Sequence, residues 1–188
     1  MALFRSRTIG RKNFAGDIFS RFEGLEPLFE AARGASVLDV GSNEGLISYE
    51  FARHGARLVH GFERDRDRVQ FSLRLFRDVA IDSHFEVANL AVTGHDFAKG
   101  ARGQVLLPSY DIVLYLGMYH HLHKQAGKEV ADDLVRFLVE RAGSWFGTRS
   151  PEVELYEPLI LEGGFELVGR TEGRSEEEAG PARVYRRS

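Results

Sequence analysis

The chain of 188 residues contains no cysteine, few lysines and no long apolar run. Without cysteine it has no disulfide bonds, no thiolate metal ligands and no cysteine nucleophile. No apolar stretch approaches the roughly 18 residues that a membrane-spanning helix requires. A net charge of -3 lacks the positive excess that bulk nucleic-acid binding requires. These absences exclude several classes of protein, and we expect a cytoplasmic protein with no membrane span and no nucleic-acid partner.

What is present is typical of one globular domain. Hydrophobic residues make up 43% of the chain and charged residues 28%, and the length suffices for a sizeable core. The first 12 residues, MALFRSRTIGRK, contain three arginines, one lysine and no acid. This segment has three interpretations: a solvated arm, a basic flap over an anionic substrate, or a targeting segment. We predict a basic arm and helical cap at residues 1–34, and one compact domain at residues 35–188.

Apolar residues along the chain alternate between helical and strand periodicity. The predicted helices lie at residues 14–24, 27–34, 44–54, 65–76, 130–138 and 151–161. The predicted strands lie at residues 36–40, 57–62, 84–88, 110–116, 145–148, 165–170 and 183–186. In the helix after Asp65, we expect Val69, Leu73 and Phe76 to share the buried face. Residues 92–109 are predicted to be irregular, the histidine-rich segment 117–123 to be a loop, and the acidic residues 176–178 to form the tip of the last hairpin.

Strands that alternate with helices predict an α/β fold with a mostly parallel, Rossmann-like sheet and helices on both faces. The last two predicted strands follow each other directly and form a closing pair. In such sheets, ligands bind beyond the carboxyl ends of the strands, near the point where the strand order reverses. The first strand of this sheet ends in a glycine-containing stretch, which is therefore the first candidate for a ligand site.

That stretch, VLDVGSNEG, leads from the strand into a helix. Its glycines permit positive φ and close approach of a ligand, and the helix start offers free N–H groups. A nicotinamide fingerprint G-x-G-x-x-G that starts at Gly41 would require glycine where the chain has Asn43 and Leu46. No G-K-[ST] sequence follows, so a P-loop is excluded as well. What remains is the motif D-x-G-x-x-x-G, formed by Asp39, Gly41 and Gly45.

This motif resembles the first motif of class I S-adenosylmethionine-dependent methyltransferases, and the resemblance extends over residues 36–187. Glu63 ends the second strand in LVHGFER, and Asn89 follows the third strand in FEVANLAV. The fourth strand and the residues that follow it read YDIVLYLGMYHHLHK, which matches the fourth-strand motif of the family. The last two strands match the antiparallel hairpin that closes the sheet of this family. The pieces YHHLHK and FGTRSPE are similar to the methyltransferase part of kinase–methyltransferases that cap bacterial surface polysaccharides. The resemblance implies the class I methyltransferase fold and S-adenosyl-L-methionine as the cofactor.

The resemblance places one group of cofactor contacts in the loop after the first strand. Asp39 would order the loop, and Ser42 and Asn43 would contact the methionyl end of the cofactor or cap the helix. Gly41 would let the methionyl part lie against the backbone, and Gly45 would permit close packing at the helix start. The alternative is that Asp39 and Asn43 only cap a helix.

A second group of contacts is implied for the nucleoside part of the cofactor. Glu63 would accept hydrogen bonds from both ribose hydroxyls, because a carboxylate offers two acceptor oxygens. The side-chain oxygen of Asn89 would accept from the adenine amino group, the N–H of Leu90 would donate to the ring, and Leu116 would lie along the cofactor. Asn89 stands where the family usually has aspartate. The alternatives are a surface acid at Glu63 and a plain turn residue at Asn89.

Three histidines, at positions 120, 121 and 123, follow the fourth strand. A metal site is one interpretation, but no cysteine and few acids accompany these histidines, and we expect no metal. The other interpretations are a hydrogen-bonded histidine that holds the loop and a base on the substrate side. The resemblance favours His121 as the residue that takes a proton from the acceptor, with His123 as the second candidate.

The resemblance implies an S-adenosylmethionine-dependent methyltransferase, and we expect it to methylate an oxygen of a small molecule, a sugar or a phosphosugar. A hydroxyl acceptor benefits from a base, whereas a carboxylate or phosphate needs none. The alternative is a cofactor-binding protein that has lost catalysis and serves as an interaction module. The intact motif residues argue against complete loss of the site.

Overall fold

The computed structural model describes residues 21–101, 105–172 and 180–188. The predictions for the basic arm at residues 1–12, for most of the helix at 14–24 and for the acidic residues 176–178 lie outside the described residues. Within the described ranges, no helix has the length and apolar character needed to cross a lipid bilayer.

A seven-stranded sheet forms the centre of the described structure. Its strands are, in chain order, β1 (Ser36–Val40), β2 (Leu58–Glu63), β3 (Asp82–Val87), β4 (Tyr110–Leu116), β5 (Ala142–Arg149), β6 (Phe165–Arg170) and β7 (Ala182–Arg187). The spatial order is β3-β2-β1-β4-β5-β7-β6. Strands β1 to β5 pair in parallel, and β7 runs antiparallel between β5 and β6. The predicted mostly parallel sheet with a closing antiparallel hairpin is confirmed.

Helices cover both faces of this sheet, as predicted. Those in the described residues are α1 (Glu26–Glu30), α2 (Leu46–Arg53), α3 (Arg66–Leu75), α4 (Gly94–Gly100), α5 (Tyr119–Ala126), α6 (Lys128–Arg141) and α7 (Glu157–Glu162). One hydrophobic core joins the sheet to α1, α2 and α3, and the other joins it to α4, α5, α6 and α7. Val37 of β1 points into the first core and Leu38 into the second. Strand β1 is thus buried on both faces, as a central parallel strand is expected to be.

The strand order places a crevice at the carboxyl ends of β1 and β4. The chain moves outward from β1 through β2 to β3, and then returns to the other side of β1 with β4. Ligands of open α/β sheets bind at such a reversal, because the loops on its two sides diverge. The loop that carries the D-x-G-x-x-x-G motif follows β1 and therefore lies at this crevice.

Every predicted strand is found, but several helix predictions were wrong. The segment 92–109 contains α4, which begins after Thr93 because the side chain of Thr93 accepts a hydrogen bond from the N–H of Asp96. The segment 117–123 was expected to be a loop, yet it contains the first part of α5, because the side chains of Tyr119 and Leu122 are buried in the second core.

Two further helix predictions need correction. In α3, Leu73 is 44% exposed, and Ser72 lies on the buried face with Val69. The helix expected at residues 151–161 is divided into a short 3-10 turn, Val153–Leu155, and α7. Pro158 has no N–H to donate, so it is compatible with the first turn of a new helix but not with the interior of a longer one.

Candidate functional site

The loop between β1 and α2 has a left-handed backbone at three positions. Gly41, Asn43 and Gly45 have φ angles of 84, 53 and 73°. A Cβ atom on Gly41 would lie 2.4 Å from Cγ of Met118, and one on Gly45 would lie 2.7 Å from Oγ of Ser72. Glycine is required at both positions, because neighbouring side chains approach the backbone closely.

Backbone hydrogen bonds hold this loop against the end of β2. The N–H groups of Gly41 and Ser42 donate to the carbonyl oxygen of Phe62 at 2.8 and 3.1 Å. The N–H of Gly45 donates to the carbonyl oxygen of Ser42 at 2.9 Å. Gly45 is the N-cap residue of α2, and no side chain caps this helix. The interpretation of Asp39 and Asn43 as capping residues is therefore wrong for α2.

Glu63, the last residue of β2, is a buried carboxylate that connects two loops. It is 5% exposed. Its Oε2 accepts from the N–H of Asn43 at 3.1 Å, and its Oε1 accepts from the N–H of Asp65 at 3.0 Å. Each carboxylate oxygen retains a second lone pair. Glu63 is therefore an oriented acceptor rather than a surface acid.

Asp39 lies inside β1 and connects the strand to α2. Its Oδ2 accepts a hydrogen bond from Oγ of Ser48 at 2.7 Å, and both residues are buried. Burial raises the pKa of Asp39 to about 6; the Ser48 hydrogen bond lowers it, and the nearby Glu63 raises it further. The carboxyl group thus changes its charge close to neutral pH.

Asn89 follows β3 and makes the contact of a turn residue. Its side-chain oxygen accepts from the N–H of Ala91 at 3.0 Å. This is an Asx turn, and it leaves one lone pair of the oxygen and the amide NH₂ group for a ligand. Asn89 is exposed, whereas the adjacent Leu90 is 2% exposed.

Two cavities adjoin the loop after β1, and Gly41 and Asn43 line both of them. The predicted site residues that line the larger cavity, of about 240 Å³, are Gly41, Asn43, Glu63, Asn89, Leu90 and His121. Those that line the smaller cavity, of about 90 Å³, are Asp39, Gly41, Ser42, Asn43 and Leu116. Gly45 and His123 line neither cavity, and Gly45 instead packs against α3.

Helix α5 presents His121 and His123 on different sides. His121 is exposed and lines the larger cavity. Partial desolvation of the ring, followed by the positive charges of Arg64 and Lys124, lowers the pKa of His121. The ring centroids of His120 and His121 are 3.9 Å apart. His121 is therefore the histidine of this helix that faces the candidate site.

His123 points toward the residues that follow β5. Its Nδ1 forms a hydrogen bond with Oε2 of Glu152 at 2.9 Å, and its ring packs against Tyr119. Two residues along a helix are separated by about 200° of rotation, so His121 and His123 cannot face the same cavity. Among the residues that the structure describes, no group of three or more His, Asp or Glu side chains is arranged to hold a metal ion.

Several residues near the site were not singled out from the sequence. Met118 fills the space beside Gly41, and Ser48 binds Asp39. Arg21 lines the smaller cavity, although it lies before the first strand. Glu152, which orients His123, lies in the segment after β5. No local pattern identifies these residues, because their neighbours in space are distant in the chain.

A mostly parallel sheet with an antiparallel closing hairpin, and a glycine loop at its switch point, defines the fold of class I S-adenosylmethionine-dependent methyltransferases. Neither a family model nor a curated protein matches the chain. Solved structures of low sequence identity do match, and they confirm the predicted fold.

Three of these structures illustrate the likeness. The magnesium protoporphyrin IX methyltransferase ChlM from Synechocystis PCC 6803, solved with bound S-adenosylmethionine, has a TM-score of 0.66 at 19% identity, covering 86% of this chain and 76% of ChlM. The bifunctional kinase-methyltransferase WbdD has a TM-score of 0.65 at 18% identity, covering 93% of this chain and 40% of WbdD. The cyclase SpnF has a TM-score of 0.59 at 12% identity, covering 87% of this chain and 80% of SpnF. Since a cyclase shares this fold, the fold alone does not define the reaction.

The donor and acceptor groups of the two cavities fit S-adenosylmethionine. Ser42 Oγ and Asn43 Oδ1 are buried, and neither has a hydrogen-bond partner among the described residues. Buried polar atoms are usually satisfied, so these two atoms suit a polar ligand. The spare lone pairs of Glu63 suit a pair of ribose hydroxyls, and the larger cavity is the one that Glu63 lines.

Proposed function

We propose that the protein is an S-adenosylmethionine-dependent methyltransferase whose cofactor spans the two cavities. The nucleoside part would lie in the larger cavity against Glu63, and the methionyl part in the smaller cavity beside Asp39 and Ser42. The observation that carries this proposal is the buried carboxylate of Glu63, which is oriented by two backbone N–H groups on the wall of the larger cavity. When bound, the cofactor supplies a methyl group already activated on a sulfonium sulfur.

The chain's own residues then have a limited task. They hold the cofactor and the acceptor in line and exclude water. Such positioning can lower the activation free energy by roughly 7 kcal/mol or more. Asn89 and Leu90 would contact the adenine, and Leu116 would lie along the cofactor near Gly41. We propose a hydroxyl of a small molecule, a sugar or a phosphosugar as the acceptor, which the sequence similarity to kinase–methyltransferases supports.

His121 and His123 are the two candidates for the base that takes the proton of a hydroxyl acceptor. His121 lines the larger cavity and has a lowered pKa, so it is neutral at physiological pH. His123 is held by a carboxylate, an arrangement that orients a catalytic imidazole in other enzymes. We favour His121, because a base must reach the reacting atom and only His121 of this pair lines the site.

The proposal is tested by calorimetric titration of the purified protein with S-adenosylmethionine, S-adenosylhomocysteine and NADH. We expect the first two ligands to bind and NADH not to bind, because the chain lacks the second and third glycines of the dinucleotide fingerprint. Micromolar binding of NADH, without binding of either adenosyl ligand, would overturn the proposal.

Glu63→Ala gives a second test of the same site. The variant should weaken S-adenosylhomocysteine binding by at least about tenfold, because each hydrogen bond to a charged group contributes roughly 1.5–3 kcal/mol. Glu50→Ala, which removes an acid paired with Arg53 on the surface of α2, is the matched control and should leave affinity unchanged. A methyl-transfer screen over sugars, phosphosugars and phenols then separates an enzyme from a binding module, since only the enzyme produces S-adenosylhomocysteine.

A further inference from the structure

Strand β3 is one of the two edge strands of the sheet, and its outer side is open. Among the strands that the structure describes, β2 is the one that pairs with it. A groove of about 660 Å³ lies at this edge and is lined by residues 84–87 of β3, by Arg66 and Gln70 of α3, and by Val105. An open sheet edge offers its free N–H and C=O groups to an additional strand.

The hydrogen bonds between β3 and β2 show which backbone groups point away from the sheet. The N–H of Asp82 donates to the carbonyl oxygen of Arg57 at 3.3 Å, and the N–H of Ala88, just past the strand, donates to that of Glu63 at 3.0 Å. Successive residues of a strand direct their N–H and C=O groups to alternate sides. The even-numbered residues of β3 therefore bond to β2, and the odd-numbered residues direct their backbone groups outward.

The side chains around this edge include exposed apolar groups. Val87 of β3 is 45% exposed, and Leu73 of α3 is 44% exposed. Leu73 follows Arg66 and Gln70 at helical spacing, so it continues the side of α3 that borders the groove. Apolar surface beside an open strand favours a protein partner over a small polar ligand.

The charges of β3 are complementary to a second copy of the same strand. Asp82, His84 and Glu86 share one face of the sheet. If two copies pair antiparallel about a two-fold axis at Phe85, His84 of each copy lies opposite Glu86 of the other. An axis at His84 would instead place Asp82 opposite Glu86, and an axis at Glu86 would place two Glu86 carboxylates opposite each other. Like charges that lie directly opposite are destabilising, so the charges select the axis at Phe85.

The same register uses the outward backbone groups of β3. Phe85 forms a hydrogen-bonded pair with Phe85 of the second copy, and Ser83 forms one with Val87 of the second copy. His84 and Glu86 then form non-hydrogen-bonded pairs, in which opposite side chains approach most closely. Within one copy, His84 Nε2 lies 3.1 Å from Oε2 of Glu86, so the new pairs join two such contacts across the axis.

We propose that the protein forms a homodimer in which two β3 strands pair antiparallel around Phe85 and join the two sheets into one. Each copy contributes the same surface, so this contact closes with two chains. The antiparallel pairing directs the candidate sites of the two copies toward opposite ends of the joined sheet. The inference rests on the edge strand and its neighbours, and it does not depend on the proposed function.

Analytical ultracentrifugation of two matched variants tests which edge forms the dimer. The natural protein should sediment with the mass of two chains at micromolar concentration. Val87→Lys should weaken dimerisation by at least about tenfold, because a lysine on an edge strand opposes strand addition. Val168→Lys is the control, since Val168 is 50% exposed on β6, the other edge strand, and this variant should dimerise as the natural protein does.

A second experiment tests the register, since the natural chain contains no cysteine. Ser83→Cys combined with Val87→Cys should give a covalent dimer under mild oxidation, because the Cα atoms of an opposite hydrogen-bonded pair are about 5.5 Å apart. Each single variant should stay uncrosslinked, because the same residue in the two copies is displaced by four positions, or about 13 Å along the strand. A disulfide cannot span more than about 7 Å between Cα atoms.

The outcomes of the two experiments decide the proposal. A natural protein that sediments as a monomer at every concentration would overturn it, and the open edge would then be free for a different partner. Loss of the dimer in Val168→Lys, with no effect of Val87→Lys, would assign the contact to β6 and also overturn it. If Val87→Lys does not fold, the cysteine variants decide: crosslinking of the single variants, or none in the double variant, would contradict the pairing at Phe85.

Discussion

Asp39 shows, at the scale of one residue, how a buried charge in the candidate site opposes the stability of the fold. Its carboxyl group is fully buried, and the pKa rises from 3.8 to about 6, mainly because burial disfavours the charged form. The folded protein therefore binds more protons than the unfolded chain between these two pH values. The corresponding stability is fully present below pH 3.8 and is lost as the pH rises through about 6.

We predict that Asp39→Asn stabilises the folded protein without ligand above pH 6. The rise in pKa corresponds to about 3 kcal/mol, which is the upper limit for the gain in free energy of unfolding at pH 8. At pH 4 the gain should nearly vanish, because Asp39 is already protonated in the folded natural protein. Asparagine can still accept the hydrogen bond from Ser48. Urea unfolding at both pH values measures the difference.

Asp111→Asn is the control of opposite sign for this experiment. Burial would raise the pKa of Asp111, but hydrogen bonds from the N–H and hydroxyl of Ser36, together with the charge of Arg57, lower it overall. Its stabilising effect is present above the unfolded pKa and is lost as the pH falls. Asp111→Asn should therefore lower the free energy of unfolding at pH 8. A loss of stability in Asp39→Asn at pH 8, or an equal gain at both pH values, would contradict the burial argument.

At the scale of one element, α5 divides its histidines between two environments. Tyr119 and Leu122 point into the second core. Because they fix the rotation of the helix, the directions of its polar side chains are fixed as well. His121 is left facing the larger cavity, and His123 is left beside Glu152. The helix thus separates a histidine at the candidate site from a histidine that is hydrogen-bonded to a carboxylate group.

We predict that His121→Ala lowers kcat by roughly 10²- to 10⁴-fold if the acceptor is a hydroxyl. Cofactor affinity should stay nearly unchanged. The base acts when neutral, so the natural rate should rise with pH through a pKa below the ordinary value of 6.5, because burial, Arg64 and Lys124 favour the neutral ring. Rate measurements from pH 4.5 to 8 on an acceptor found in the screen test this.

His123→Ala is the comparison for this prediction. This variant should keep the rise of the rate with pH on the acidic side of the pH–rate profile. If His123→Ala removes that limb and His121→Ala does not, the base is His123. An equal loss at every pH in His121→Ala would show that His121 positions the acceptor, and an already ionised oxygen would then be the better candidate for the methyl acceptor.

At the scale of the whole molecule, Arg187 connects several elements at the edge of the sheet opposite the site. Its guanidinium donates to the carbonyl oxygens of Gly143, Gly163, Val139 and Ala142 at 2.7 to 3.1 Å. It also lies 4.3 Å from the ring centre of Phe165. These contacts join the end of α6, the start of β5 and the end of α7.

We predict that Arg187→Lys lowers the free energy of unfolding by roughly 2–4 kcal/mol, because an ammonium group cannot reproduce the planar fork and several carbonyl groups lose their donor. Binding of S-adenosylhomocysteine should not change, since the site lies at the other end of the strands. Arg186→Lys, at an exposed neighbouring position over Trp145, is the control and should lower the free energy of unfolding much less. Urea unfolding that does not distinguish the two variants would contradict this role.

The sequence by itself was sufficient to predict the sheet and the motif at its switch point. Strand periods and turn glycines are local properties, and they predicted all seven strands and the positive φ at Gly41 and Gly45. The resemblance implied which residues would contact the nucleoside and methionyl parts of a cofactor, and of these Glu63 lines the larger cavity and Asp39 the smaller one. Short helices were predicted less well, because α4 and α5 are stabilised mainly by the core beneath them.

Only the tertiary structure decided which polar groups share a cavity. Arg21 and Asp39 are 18 positions apart in the chain but line one cavity, and His121 and His123 are two positions apart but face different neighbours. The same holds for charge: burial beside Glu63, and not the residue type, raises the pKa of Asp39. Local sequence sets the direction of each side chain within its element, whereas the packing of elements sets what that side chain meets and how much water remains around it.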